Sequence, residues 1–204
     1  MNTLPSELVV DEAVFSALRR DCEKLIDTRK RLPDFVFQRS FDKYFAIEHA
    51  HIYRKEFGAF LFKLSNIFKD VTVNFMLLDP APTDLFHRES FFGLASFQPE
   101  SLIERYVPVM SIRSIGRIVS LAVLGNVGAF WGSSLGWGIF CDRISWEMDV
   151  IAVSGSVDIP AITDFRCMDA SFLPGYIESQ YCIKDPSNSI ASDFTRRFLA
   201  NYPV

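Results

Sequence analysis

The strongest constraint on the fold is a pair of alternating segments late in the chain, at residues 137–141 and 146–153. Apolar side chains recur at every second position in both segments, and a short turn-like stretch separates them. Because successive side chains of a strand point to opposite faces, this pattern predicts an antiparallel hairpin. The hairpin places Trp146 on one face, and Glu147 with Asp149 on the other. A chain that contains it must build a sheet.

Helical periodicity at both ends of the chain adds helices to this sheet. Apolar residues recur at helical spacing over residues 11–31, with acids in the first turn and three bases at the end, which predicts an amphipathic helix. Apolar positions over residues 37–68 predict a second long helical region, and the two are expected to pack face to face as a helical pair. A last helix is predicted over residues 189–201.

The middle of the chain has a different residue pattern, which predicts strands and short helices. Residues 71–78 are β-branched and apolar and end in a turn sequence, which predicts a strand. Short helices are predicted over residues 83–93 and 100–107. Residues 115–124 are apolar without a clear period, so helix and strand both stay open there. Residues 156–183 are expected to be mostly loop.

These elements together predict the α+β class. We expect an N-terminal helical pair packed on a mainly antiparallel sheet, with a C-terminal helix. The chain of 204 residues suits a single domain, 1–204, in which a helical N-terminal part (1–69) precedes an α+β part (70–204).

Composition indicates a globular chain with a large aromatic core. Hydrophobic residues make up 49% and charged residues 23% of the sequence, proportions typical of globular proteins. The chain contains 20 Phe, a residue that is mostly buried in folded proteins. Trp137 and Trp146 are the predicted core anchors of the hairpin. A small-ligand pocket within this Phe-rich interior is an alternative function that stays open.

The cysteines and the apolar stretches favour a cytoplasmic protein with no membrane partner. Cys22, Cys141, Cys167 and Cys182 form no CxxC pair, which is typical of reduced thiols, although a disulfide between the last two stays open. The N-terminal residues lack the pattern of a signal peptide. The longest apolar stretch, 115–131, is interrupted by polar residues and three Gly, and it falls short of a membrane span.

Charge is unevenly distributed along the chain. The net charge is −4, but residues 142–193 hold nine acids and three bases, a net of −6, whereas residues 1–141 hold sixteen of each. An acidic segment disfavours nucleic acid and suits a basic protein partner. Within it, Asp142, Glu147 and Asp149 are the predicted contact residues for such a partner. A solvated face without a partner is the alternative.

Two patterns are candidates for catalysis or metal binding. Ser134 is the central residue of a G-x-S-x-G sequence, which in α/β-hydrolases exposes a nucleophile. That fold needs a histidine downstream of the serine, and all three histidines of this chain lie upstream. His49 and His51 offer an alternative metal-dependent hydrolase site, although a helical conformation would splay their rings apart. We predict no catalytic residue, no cofactor and no metal, and keep the hydrolase as the alternative.

One pattern runs through residues 71–153. It consists of a strand that ends at Asp79-Pro80, a short helical region that ends in Phe-Gly, a helix led by Pro-Glu, and a strand pair. The strand pair carries Gly132, Ser133, Ser134, Trp137, Gly138, Ile139, Asp142, Arg143, Glu147 and Val150. This pattern resembles small bacterial immunity proteins that neutralise polymorphic toxins. The resemblance implies inhibition by occlusion, without catalysis, of a basic toxin that meets the acidic surface.

Overall fold

The computed structural model describes residues 4–112, 121, 125–144, 146–157, 173–180 and 189–203. Within these ranges the α-helices are Glu12–Leu25 (α1), Lys55–Phe68 (α2), Pro82–Glu89 (α3), Leu102–Met110 (α4), Leu173–Gln180 (α5) and Ser189–Asn201 (α6). The strands are Lys43–Glu48 (β1), Val73–Asp79 (β2), Leu94–Phe97 (β3), Val127–Gly132 (β4), Trp137–Asp142 (β5) and Met148–Val153 (β6). Two short 3-10 helices occupy His49–Tyr53 and Pro99–Ser101.

The six strands form one sheet in the order β1-β6-β5-β4-β2-β3, and every neighbouring pair is antiparallel. The predicted hairpin is confirmed as β5 and β6, with Trp137 opposite Val153. The strand predicted at 71–78, the short helices that follow it and the C-terminal helix are also confirmed. The protein therefore belongs to the α+β class.

Helices cover the sheet on both faces. α1, α5 and α6 share one apolar core with the sheet side chains of Met148, Val150 and Ala152. α2 and α4 share the other core, with Trp137 and Ile139 from β5 and Ile151 from β6. Strands that are apolar on both faces must be covered on both sides, because either exposed face would leave apolar area in water.

The expectation that the two N-terminal helices pack face to face is therefore wrong. α1 belongs to one core and α2 to the other, with the sheet between them. Close packing on the far face instead joins α2 to α4. A Cβ atom on Gly58 would lie 2.8 Å from the Leu102 carbonyl oxygen and from Tyr106 Cβ, so only glycine permits this approach.

The second helical region is shorter than predicted, because residues 43–48 form strand β1. β1 pairs with β6 in register from Lys43 opposite Val153 to Glu48 opposite Met148. This pairing brings the N-terminal part of the chain into the sheet, so residues 1–69 are not purely helical. Residues before α1 also join the sheet at its other edge, where Val9 N donates to Leu94 O at 3.0 Å.

Three other predictions need correction. α1 ends at Leu25, six residues before the predicted end, because Ile26 pairs instead with Phe37 as an isolated bridge. Residues 94–97 form a strand that the sequence analysis did not predict, and residues 173–180 form a helix within the expected loop region. The open question at 115–124 lies outside the described residues, apart from Leu121.

The core is aromatic, as the composition predicts. Of the 18 Phe in the described residues, 13 are buried and five are half-buried. Cys22 and Cys141 are buried free thiols, whereas Cys167 and Cys182 lie outside the described residues. Among the described helices, none is both long enough and apolar enough to cross a membrane.

Candidate functional site

The three predicted partner-contact acids do not form an exposed face. Asp142 and Asp149 are 0% exposed, and only Glu147 is exposed. The predicted facing of Asp149, opposite Met148 and Val150, is correct. The prediction of an exposed face is wrong, because α2, α4 and the 49–53 helix cover Asp149. Asp142 lies on the opposite face, since its strand partners Val127 and Met148 belong to the core that contains α1. Asp142 and Asp149 therefore cannot contact a partner in this fold, and Glu147 remains.

The buried carboxylate of Asp149 is paired with a buried histidine. Asp149 Oδ1 lies 2.7 Å from His49 Nδ1, and the histidine side chain is 5% exposed. The register of β1 on β6 creates this pair, because His49 directly follows Glu48, the last residue of β1. The backbone N–H of His49 also donates to the Glu147 carbonyl oxygen at 2.8 Å. The residues of the pair are 100 positions apart in the chain.

The other ring nitrogen of His49 contacts Tyr53. His49 Nε2 lies 3.0 Å from Tyr53 Oη, and the rings meet edge to face with centroids 5.4 Å apart. Because the Asp149 carboxylate can only accept a hydrogen bond, His49 Nδ1 carries the proton. A neutral imidazole then accepts at Nε2, so the Tyr53 hydroxyl donates inward. A line of hydrogen bonds runs from the surface to Asp149.

A pocket opens beside this line, at the end of the sheet where β5 turns into β6. It has a volume of about 290 Å³ and is lined by His49, Ala50, Tyr53, Arg143 and Glu147. Arg143 Nη2 donates to Asn126 Oδ1 at 3.3 Å, and the Arg143 backbone N–H donates to the Asn126 carbonyl at 3.0 Å. These bonds hold the arginine at the pocket wall.

Glu147 has a left-handed backbone, with φ at 48°. Such a conformation is uncommon for a residue with a side chain and persists only where surrounding contacts hold it. The Glu147 carbonyl oxygen accepts from the His49 backbone N–H and from the Tyr176 hydroxyl, the latter at 2.9 Å. The helix α5 and the 49–53 helix thus position this residue from two sides.

The Asp149 carboxylate, the His49 imidazole and the Tyr53 hydroxyl follow the order of a nucleophilic triad. The charges around Tyr53 nevertheless favour a phenol that keeps its proton. Burial raises the pKa of Tyr53, and the Asp149 charge raises it further, while the Arg143 guanidinium that hydrogen-bonds the phenol lowers it in part. The pKa of the neighbouring Cys141 thiol is raised well above its ordinary value by burial and by Asp149. Neither group is activated as a nucleophile.

Ser134 is distant from His49 and His51. It lies in the β4–β5 turn, whereas His49 and His51 lie beside the turn at the opposite end of β5, about 20 Å away along a strand of this length. His87 lies on α3, which follows the end of β2, while Ser133 bonds the residues just before β2. In the described part of the chain, Ser134 bonds Asp70 and Gly136 and makes no hydrogen bond to a histidine.

The G-x-S-x-G sequence has a packing explanation instead. Asp70 Oδ1 accepts from the Ser134 backbone N–H, and Oδ2 accepts from Trp137 Nε1, both at 2.7 Å. A Cβ atom on Gly132 would overlap this carboxylate, and one on Gly136 would overlap the Phe68 ring. Glycine at these two positions allows the turn to close over Asp70.

The alternative metal site on His49 and His51 is not assembled. Both residues lie in the 49–53 helix, and both nitrogens of His49 are already engaged, by Asp149 and by Tyr53. In the portion of the chain with described side chains, no group of three or more metal-ligating residues gathers in one place.

Tyr53 and Arg143 are the site residues that the sequence analysis missed as functional. Tyr53 follows His49 by four positions, a spacing that brings two side chains together on a helix, so this contact was open to prediction. Arg143 lay in the predicted hairpin turn without any sign of a partner.

Comparison of the chain with protein-family models, curated proteins and solved structures found no match.

The buried hydroxyl and thiol around this site predict loss of stability at alkaline pH. Burial raises the pKa of Tyr106 and of Cys141 well above their ordinary values. The unfolded chain releases these protons near pH ~10 and ~8.5, whereas the folded state keeps them, so the stabilisation is complete below about pH 8.5 and is lost as the pH rises. Each group then contributes a slope of about 1.4 kcal/mol per pH unit above its unfolded pKa.

Urea denaturation between about pH 8 and pH 11 measures this slope. Tyr106→Phe is the matched control, because it removes one titrating group and leaves the ring in the core. The variant should lose the share of the slope that arises above pH ~10. An identical slope in both proteins would show that Tyr106 ionises equally in the folded and unfolded states.

Proposed function

We propose that this chain is a non-catalytic, cytoplasmic binding protein that neutralises a protein partner by occlusion, as the immunity proteins it resembles do. The observation that carries the proposal is the surface around the β5–β6 turn. Tyr53 and Ile144 are 38% and 61% exposed there, beside a pocket flanked by charged side chains. We name Ala50, Tyr53, Arg143, Ile144 and Glu147 the hairpin patch.

The composition of the hairpin patch suits a protein contact. Large apolar side chains that are exposed together mark interaction sites, and tyrosine and arginine are enriched among the residues that dominate binding energy. Glu147 supplies an acidic group of the kind predicted for a basic partner. The patch is formed by two segments that are far apart in sequence and held together by the sheet.

The hairpin patch is also rigid in a way that favours binding. Tyr53 is held by the line of hydrogen bonds to Asp149, and Arg143 is held by Asn126. Side chains that are fixed before binding lose less conformational entropy when the partner arrives. The same buried bonds that argue against catalysis therefore support recognition.

The pocket does not favour the alternative of a Phe-rich ligand site. Its lining residues include no phenylalanine. In the described residues the buried Phe side chains belong to the two cores on either side of the sheet. Filling of the interior by these rings supports a packing role for them.

A neutralisation assay tests the proposed function. The candidate toxin is the protein encoded next to this gene, expressed under an inducible promoter so that it arrests growth. Co-expression of this chain is expected to restore growth. Tyr53→Ala combined with Ile144→Ala should weaken the complex by 2 kcal/mol or more, roughly thirtyfold in dissociation constant, because such anchors dominate binding. Isothermal titration with the purified pair measures this change.

The matched control is Val71→Ala, because Val71 is 69% exposed at the opposite end of the sheet, near Ser133. This variant should bind and protect like the original chain. Circular dichroism and thermal unfolding establish that each variant is folded. Equal loss of protection in the control, or full protection by the folded double variant, would contradict a role for the hairpin patch.

A further inference from the structure

We infer that the pocket of the hairpin patch receives a basic side chain, an arginine or lysine, from the partner protein. This inference rests on the proposed function and deepens it by naming the chemistry of the group that binds. Three properties of the pocket carry it: its net charge, the direction of its hydrogen bonds and its exposed aromatic ring.

The charge around the pocket is negative. Glu147 and Asp149 contribute two negative charges, and Arg143 contributes one positive charge, a formal sum of −1. The Asp149 carboxylate is 0% exposed, where solvent screens a charge much less than at the surface. A cationic group entering the pocket is therefore attracted.

The hydrogen-bonding groups of the pocket also favour a cation. The Tyr53 hydroxyl proton is directed inward to His49, and the phenol oxygen accepts from the Arg143 guanidinium. Glu147 adds a carboxylate, an acceptor only. The side chain of Arg143 is the donor here, and its guanidinium already bonds Asn126 and the Tyr53 oxygen. A donor-rich cation meets acceptors in this pocket.

The Tyr53 ring and the pocket volume complete the match. Tyr53 is 38% exposed, so a cation can approach it, and cations bind over the faces of aromatic rings. The volume of about 290 Å³ lies at the lower limit of small-molecule pockets, about 300–1,000 Å³. That size suits one long side chain. Arginine and lysine reach such a pocket with an apolar stem and a charged tip.

NMR titration of the full-length chain with blocked tripeptides tests the inference without the partner. The probes are acetylated, amidated Gly-Arg-Gly and Gly-Lys-Gly, with Gly-Glu-Gly and Gly-Leu-Gly for comparison. We expect the two basic peptides to shift the amide signals of Ala50, Tyr53 and Glu147 with weak, saturable affinity. Glu147→Gln should weaken their binding about threefold, in line with a partly exposed ion pair.

The matched control is Glu12→Gln, because Glu12 is an exposed acid on α1, outside the pocket lining. It should leave the peptide affinities unchanged, which separates a specific pair from general attraction to an acidic protein. Stronger binding of Gly-Glu-Gly at the same residues, or basic-peptide binding that is insensitive to Glu147→Gln, would overturn the inference.

The two proposals fail separately. If the double variant of Tyr53 and Ile144 abolishes neutralisation while no basic peptide binds, the function stands and the basic side chain is wrong. If the basic peptides bind in the pocket but the double variant still neutralises, the pocket chemistry stands and the hairpin patch is not the inhibitory surface.

Discussion

Replacement of Trp137 by alanine is expected to lower the free energy of unfolding by about 3–5 kcal/mol. Trp137 is 0% exposed at the start of β5, in the core between the sheet and the α2–α4 layer. The substitution removes the apolar contacts of the ring and leaves a cavity that rigid neighbours fill only in part. It also removes the donor at 2.7 Å from Asp70 Oδ2. Urea denaturation at neutral pH measures the loss.

Two further variants separate these contributions. Trp137→Phe retains most of the ring and loses the Asp70 bond, so its cost should be smaller, about 1–3 kcal/mol, the cost of a buried acceptor without its donor. Trp146→Ala should cost less than Trp137→Ala, because Trp146 is only half-buried, although its ring packs against Phe194 with centroids 3.7 Å apart. A larger loss at Trp146 would show that the α1–α6 layer contributes more to stability than burial indicates.

Replacement of His49 by phenylalanine is expected to cost about 3–5 kcal/mol, although the aromatic ring keeps the volume filled. The variant leaves the Asp149 carboxylate at 0% exposure without its partner at 2.7 Å. A buried charge without a hydrogen-bond donor is destabilising by the free energy of its lost hydration. The same variant releases the Tyr53 hydroxyl from its acceptor, so the hairpin patch should also bind its partner less tightly.

A double-mutant cycle identifies the cause of this loss. Asp149→Leu in the His49→Phe background removes the charge and restores an apolar contact, so the double variant should recover most of the lost stability. Asp149→Leu alone should cost less than His49→Phe alone, because it leaves no buried carboxylate without its partner. If the two single losses simply add, the pair is not coupled, and the cost at position 49 arises from packing.

Local patterns along the chain were enough to predict several elements. The alternation at 146–153 predicted β6 and the facing of its side chains, because the side-chain period of a strand is a local property. The same reasoning holds for β2 and for the C-terminal helix, where Phe194 and Phe198 are buried as the helical spacing predicts. The G-x-S-x-G sequence was recognised as a turn, because the histidine required downstream of it is missing.

The elements that depend on distant partners were not predictable in this way. The aromatic residues near position 45 fit a helical spacing, but their backbone pairs with β6, about a hundred residues later in the chain. α1 ends at Leu25 for the same reason, since Ile26 pairs with Phe37. Hydrogen bonds to a distant strand outweigh local propensity, which differs by less than ~1 kcal/mol between most residues.

The candidate site is decided by tertiary structure most of all. Carboxylates that alternate with apolar residues predict a polar face of a strand, and the sequence places Glu147 and Asp149 on the same face. Of the elements around Asp149, α2, the 49–53 helix and its partner His49 come from the N-terminal third of the chain, and α4 comes from its middle. The sequence by itself therefore determined which way Asp149 points. The tertiary structure decided that it is buried, because burial depends on what packs over a strand and not on the strand itself.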